Sequence, residues 1–367
     1  MHLLPDIITL TKELIRIPSM HSTPDEISRC ADFVLDWCDA NDITARMVHH
    51  QGVPSILALP RNQAAGLLLM SHLDVVDAPP EMFDPRVEGD LLFGRGAVDD
   101  KYAVALSLVL FREKLRQLKL KGKTQDDMTL GLLITGDEET GGEYGAGKAL
   151  EEIRAEFAVA LDGGDPGRIV TKEKGVMDVM LTATGQAAHG ARPWLGVNAI
   201  DLLLQDYGRI QQLFPDKGRD HWHRTVNFGK IRAGQSINQV PQTAQGWFNI
   251  RFTEDDDPQS LIREISTVVR SSVQVLSTIP VFASLPSPWT ARLAAHAAEA
   301  TLTREHGASD ARHLMDHDIP GVIWGAQGFG SQHGPQECVS ISSIGHVATS
   351  LWSLMEEMEN AWSRKEI

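Results

Sequence analysis

The stretch Ser71-His72-Leu73-Asp74-Val75-Val76, followed by Gly94-Arg95-Gly96-Ala97-Val98-Asp99-Asp100-Lys101, decides how this chain is read. Leu67 to Met70 is an apolar run of strand length, and His72 and Asp74 stand two residues apart at its carboxyl end. Side chains at i and i+2 of an extended segment share a face, so an imidazole and a carboxylate are presented side by side. A metal-binding His needs an acceptor on its second ring nitrogen, and Asp74 suits that orienting part better than the part of a ligand. Tyr102 to Leu118 is apolar at helical spacing, which puts Asp99, Asp100 and Lys101 at a helix start, where the helix dipole favours anionic side chains.

The same grammar recurs downstream. Met128 to Thr135 reads as a buried strand with Asp137-Glu138-Glu139 in the loop after it, and Phe157 to Leu161 as another, ending at Asp162. Strands alternating with helices argue an α/β sheet flanked by helices. In such sheets ligand sites collect at the carboxyl ends of the strands. Earlier, Ile7, Leu10 and Leu14 predict a first helix, and Thr23-Pro24-Asp25-Glu26 a capping box opening a second. Residues 75–98, rich in Pro, Gly and Asp, are expected to be loop. Near Lys174 the pattern changes: Val176 to Thr184 and Gln245 to Phe252 alternate as antiparallel strands do, with helices expected over Val197 to Phe214 and Pro258 to Arg270. Residues 176–283 are therefore read as an inserted two-layer α+β domain, and 1–175 with 284–367 as the main domain. Thr290 to Glu305 is expected to be a helix, Ile319 to Gly325 a strand, and Ser340 to Trp362 a long terminal helix.

With 367 residues, two domains are the default. The net charge of −15 argues against nucleic acid or an anionic membrane surface as partner. Cys30, Cys38 and Cys338 form no disulfide framework and fit a reducing, cytoplasmic setting. The N-terminus carries no signal-peptide pattern, and no apolar run reaches the roughly 20 residues of a membrane helix.

His72, Asp99, Glu139, Asp162 and a late histidine make two imidazoles and three carboxylates, a donor set suited to zinc or a similar divalent metal. Two divalent cations against three carboxylates leave one positive charge, which favours a bound hydroxide as nucleophile. Glu138 then stands where a general base is needed. A dinucleotide-binding reading rests only on Gly94-x-Gly96 and fails, because Asp99 occupies the third glycine position.

These segments, with His333-Gly334-Pro335-Gln336-Glu337-Cys338-Val339, resemble in order and spacing the co-catalytic di-zinc peptidase and deacylase family. That family includes aminoacylase, acetylornithine deacetylase, succinyl-diaminopimelate desuccinylase, glutamate carboxypeptidase and the peptidase T type. The resemblance covers nearly the whole chain. It implies two divalent ions per chain, zinc with cobalt or manganese as alternatives, with Asp99 bridging them. His72 and Asp162 would complete one site, and Glu139 and His333 the other. Asp74 would support His72, and Glu138 would act as base. Asp165 is the rival of Asp162, and His346 that of His333. Gly185-Gln186-Ala187-Ala188-His189-Gly190 resembles the family's lid and dimerisation domain, in which His189 would steady the oxyanion, in dimeric members at the partner's site. Asn238 and Arg251 match substrate-contacting positions, while Ser309-Asp310-Ala311-Arg312 matches a segment near the site without an assigned role. The expected function is metal-dependent hydrolysis of an amide bond in a short peptide, of di-/tripeptidase or carboxypeptidase type; the alternative is an N-acyl amino acid deacylase. A homodimer through the inserted domain is expected.

Overall fold

The structure, a computed structural model, describes residues 3–60, 63–216, 218, 220–298, 300–330 and 333–365. It comprises two compact units: residues 1–171, 284–304 and 309–367 form the first, and 172–283 with 305–308 the second.

The first unit is built on a mixed sheet. Ala64–His72 lies at its centre, parallel to Leu130–Thr135 on one side and to Arg154–Ala160 on the other, and Gly321–Ile323 extends the parallel set. Val53–Ala58 and Arg46–His50 add antiparallel strands beyond Leu130–Thr135. The central strand is buried along almost its whole length, because helices cover both faces and a period-2 polar pattern would strand charges in the core. Lys101–Leu120 is the most enclosed helix, buried from Lys101 through Phe111. Leu4–Ile15, Pro24–Ala40 and the terminal Ile341–Lys365 share its core. No helix among the described residues is long and apolar enough to cross a membrane.

The second unit is a four-stranded antiparallel sheet, ordered Thr225–Ala233, Thr243–Phe252, Gly175–Thr184, Ser272–Ile279. The helices Ala199–Gln211 and Pro258–Val268 supply Leu203, Ile210, Leu261 and Ile265 to its core. The unit begins at Lys172, four residues before the expected 176, because Lys172 and Glu173 pair with Ala283 and Phe282.

Three local expectations are corrected, and one strand had none. Thr23 makes no capping box: its hydroxyl donates to the Pro18 and Met20 carbonyls at 3.0 and 3.2 Å instead. Residues 75–98 are not all loop, since Arg86–Glu88 and Leu91–Phe93 form a hairpin that pairs with Cys338–Ser340. The helix expected to reach Glu305 stops at His296, and Thr301–Glu305 is a strand, where two β-branched threonines suit an extended backbone. The strand Thr225–Ala233 carried no clean alternation in sequence, because Gly229 stands at a bulge between Phe228 and Lys230 that shifts its period.

Candidate metal centre

Three parallel strands deliver the candidate residues to one edge of the sheet. Pairing continues one step past each strand: Leu73 N–H donates to the Thr135 carbonyl (2.8 Å) and Leu161 N–H to that of Met70 (2.9 Å). His72, the Gly136–Gly142 loop and Asp162 are thereby neighbours. Asp99 comes from the turn before the Lys101–Leu120 helix, and His333 from the loop ahead of Cys338–Ser340.

Asp99 joins two clusters. Its Oδ1 lies 3.0 Å from His72 Nε2, and its Oδ2 lies 3.1 Å from His333 Nε2, which is 3.3 Å from Glu139 Oε2. His72, Asp99 and Asp162 form one potential cation-holding trio and Asp99, Glu139 and His333 the other, the donor atoms of each within 4.8 Å of one another. Metal–ligand bonds of about 2.0–2.2 Å put ligand atoms a little over 3 Å apart, so the spacing fits. His72 Nδ1 donates to the Asp74 backbone carbonyl at 3.0 Å, which leaves Nε2 of the neutral ring as a bare lone pair. That nitrogen is buried and close to Asp99 Oδ1 yet has no hydrogen bond, the arrangement expected of a ligand rather than of a donor.

The charge balance points the same way. Burial pushes Glu138 well above the usual carboxylate range, with Asp310, Asp74 and Asp99 adding to it against the pull of His72. Burial and the Asp99 and Glu138 carboxylates raise Asp162 as well. Burial alone would raise Asp99, but the hydrogen bond from His333 and the two neighbouring imidazoles hold it far below the usual range. His333 is pushed up to about 10 by its hydrogen bonds to Asp99 and Glu139. So many carboxylates crowded around two imidazoles hold a proton excess that bound cations would displace.

The rivals stand apart. Asp165 Oδ1 accepts from Gly167 N–H at 2.8 Å in its own turn, and His346 packs edge-on against Trp324 with ring centroids 6.5 Å apart.

Asp74 does more than support His72. Its two carboxylate oxygens accept the backbone N–H groups of Glu138 (3.2 Å) and Glu139 (3.0 Å), so one residue fixes the histidine through its carbonyl and the acidic loop through its side chain. Three further supports had no role assigned from the sequence. Arg95 donates to Glu337 and, at 2.9 Å, to the His333 carbonyl, while Glu337 Oε1 accepts from Val98 N–H at 3.1 Å. Asp310 Oδ2 accepts from Thr135 Oγ1 at 3.1 Å, and Arg312 donates to the Gly141 carbonyl. Tyr102 hydroxyl donates to the Leu161 carbonyl (2.7 Å) beside Asp162. Arg95 and Glu337 sit inside the quoted motifs; the signal available was their opposite charge, each four residues from a candidate ligand, Asp99 or His333.

In the second unit, Ala188–His189 and Gln239–Val240 form a two-stranded ribbon that pairs His189 with Gln239 and ties Gly190 N–H to the Asn238 carbonyl at 2.7 Å. His189 and Asn238 therefore share one structural element. Ala191 N–H donates to His189 Nδ1 at 3.1 Å, so Nε2 carries the proton of the neutral ring and the side chain is an exposed donor. Arg251 is not in this group. It bonds Asn249 Oδ1 at 3.1 Å and the His306 carbonyl at 3.3 Å.

A mixed α/β sheet carrying clustered imidazoles and carboxylates at its strand ends defines a metal-dependent hydrolase. Residues 68–357 match peptidase family M20/M25/M40, and the chain belongs to that family of metallopeptidases. A probable carboxypeptidase from Aspergillus niger is 24% identical over 383 aligned residues, covering 95% of this chain and 89% of that protein. Another from Aspergillus clavatus is 27% identical over 296 residues, covering 73% and 68%. Among solved structures, a metallo-carboxypeptidase from Sulfolobus solfataricus superposes with a TM-score of 0.78 at 16% identity, covering 96% of this chain and 99% of that one. A tripeptidase from Staphylococcus aureus gives 0.77 at 20% identity, covering 97% and 99%.

Proposed function

We propose that the chain is an exopeptidase of short peptides that works with two divalent cations, zinc being the best match to its donors. His72 and Asp162 would hold one cation, Glu139 and His333 the second, and Asp99 both. The observation that carries the reading is Asp99, whose two oxygens each face a different imidazole at 3.0 and 3.1 Å. When bound, such cations polarise the scissile carbonyl and acidify a water molecule.

The protein's own groups do the rest. Glu138, held through its N–H by Asp74, takes the proton of the attacking water and passes it to the leaving amine nitrogen. An elevated affinity for protons suits a group that must both accept and donate. His189, with Nε2–H as donor, would steady the oxyanion, worth about 3 kcal/mol for a preorganised donor. Asn238, on the same ribbon, would contact the substrate. Arg251, whose fork keeps N–H donors beyond its bonds to Asn249 and the His306 carbonyl, would bind a substrate carboxylate.

The names of the curated relatives support the carboxypeptidase form of this reading, and the tripeptidase among the structures supports short substrates. Association through the inserted unit is supported by exposed Leu204, Ile231, Val275 and Leu276, two of them on the edge strand Ser272–Ile279 and one on the edge strand Thr225–Ala233. Its check is the mass of the purified protein by sedimentation. The three buried cysteines, none of them in a disulfide, suit a reducing compartment.

The function is tested with di- and tripeptides bearing free or blocked termini, beside N-acyl amino acids, with and without chelator. Cleavage of peptides with a free C-terminus, abolished by the chelator, is expected. Glu138→Gln should retain the metals and lose 10²–10⁴-fold in kcat (on the order of a general-base contribution). Cleavage of N-acyl amino acids but not peptides would replace this reading with a deacylase.

A further inference from the structure

The second unit gathers another set of metal-type donors, well separated in sequence from the residues assigned above. Helix Ala199–Gln211 and strand Thr225–Ala233 are joined by a connection that brings Asp216, His221 and His223 together. We propose that these three residues form a non-catalytic binding site for a zinc-class divalent cation.

Three observations carry it. First, Asp216 Oδ1 lies 3.2 Å from His221 Nδ1 and 3.1 Å from His223 Nε2, and the three donor atoms fall within 4.8 Å of one another. These separations equal those of the Asp99 clusters and suit bonds of about 2.0–2.2 Å to a shared ion. Second, the tautomer of His223 is fixed. Its Nδ1 is 2.9 Å from the Arg224 carbonyl, which can only accept, so Nδ1 carries a hydrogen and Nε2 is the nitrogen that faces the Asp216 carboxylate. A histidine whose far nitrogen donates to a backbone carbonyl is the arrangement that metal-bound imidazoles adopt. Third, the backbone is held in advance: the buried Lys174 donates from Nζ to the carbonyls of both His221 (2.7 Å) and His223 (2.6 Å).

The donor set selects the ion. Two imidazoles and one carboxylate favour zinc, nickel or copper over calcium and magnesium, which prefer oxygen. His223 is nearly enclosed at 9% side-chain exposure, whereas His221 and Asp216 are open at 57% and 70%, so water can complete the coordination. The nearby Lys174 ammonium opposes a second positive charge and limits the affinity. A bound ion would tie both ends of the connection to one point.

The competing species is a proton: His223 as an imidazolium paired with Asp216. The experiment separates the two. The full-length protein is equilibrated with zinc sulfate at neutral pH and desalted, and zinc per chain is measured by mass spectrometry for wild type, His221→Ala/His223→Ala and Asp216→Asn. The wild type is expected to hold one zinc more than either variant, with peptidase activity equal in all three. Hydrogen exchange over residues 214–224 should slow on zinc addition in the wild type and be indifferent to zinc in the variants. If the double variant does not fold, His223→Gln takes its place in both measurements. Equal zinc content with no zinc-dependent protection of 214–224 would overturn the site and leave an ion-paired trio. Because these residues lie outside the catalytic set, that result leaves the peptidase reading standing, and an inactive wild type that still binds the extra zinc leaves this one standing.

Discussion

Arg95 and Glu337, 242 residues apart in the chain, form an ion pair in which both side chains are almost wholly buried. The pair ties the turn carrying Asp99 to the loop carrying His333, because Glu337 also accepts from Val98 N–H and Arg95 also donates to the His333 carbonyl. It thus joins the shared carboxylate to one of its two imidazoles through the protein rather than through a cation.

Arg95→Ala would leave a buried, uncompensated carboxylate. A loss of about 3–5 kcal/mol is expected, read by urea denaturation, together with weaker retention of metal at the proposed His333 site. Glu337→Gln keeps an acceptor for Val98 N–H and should cost less. If Arg95→Ala retained wild-type stability and metal content, the pair would have no positioning role.

Asp99 is common to both candidate cation-holding trios, whereas His333 belongs to one. Asp99→Ala should therefore empty both sites and His333→Ala only one, as counted by metal analysis after desalting. Because the proposed cations would bind the folded chain, their removal should lower its stability. At a free metal concentration a thousandfold above Kd the difference is about 4 kcal/mol, visible as a fall in Tm on adding chelator.

Gly142 is irreplaceable for a geometric reason. A Cβ there would sit 1.7 Å from Asp310 Oδ1, and its φ of +59° is one that L residues seldom adopt. Gly142→Ala should cost about 1–3 kcal/mol by overpacking and lower kcat by displacing the loop that bears Glu138. Asp310→Ala removes the obstruction, so the double variant should be less destabilised than the sum of the singles, a coupling measurable by a double-mutant cycle.

His313 lies beside Arg312, and burial with that guanidinium lowers its pKa to about 4 from 6.5. A depressed histidine favours the neutral ring in the fold, so below 6.5 the unfolded chain binds the extra proton. Its contribution is complete above pH 6.5 and is lost as pH falls from 6.5 to 4, amounting to about 3 kcal/mol at most. His313→Gln should flatten that part of the stability–pH curve. An unchanged slope would remove His313 from the account.

Much of the candidate centre was legible in one dimension. His72, the Glu138-Glu139 pair and Asp162 each follow an apolar run, and parallel strands buried on both faces are written as such runs. Their side chains meet because adjacent parallel strands end at the same edge. Less was legible where short-range signals compete with distant partners. Thr23 had the sequence of a cap, yet the carbonyls of Pro18 and Met20 were nearer to its hydroxyl. Residues 301–305 continued a helical pattern, yet a neighbouring strand, Arg168–Glu173, took them as its partner.

The sequence by itself determined which residue types stand at the strand ends, and hence the chemistry they can support, because strand length and burial are local properties of composition. Only the tertiary structure decided which of those residues gather within reach of one ion. It set Asp162 against Asp165 and His333 against His346, gave Asp74 the backbone of the acidic loop, and closed Arg95 on Glu337. Those choices depend on distances between segments up to 242 residues apart, which the folded backbone alone fixes.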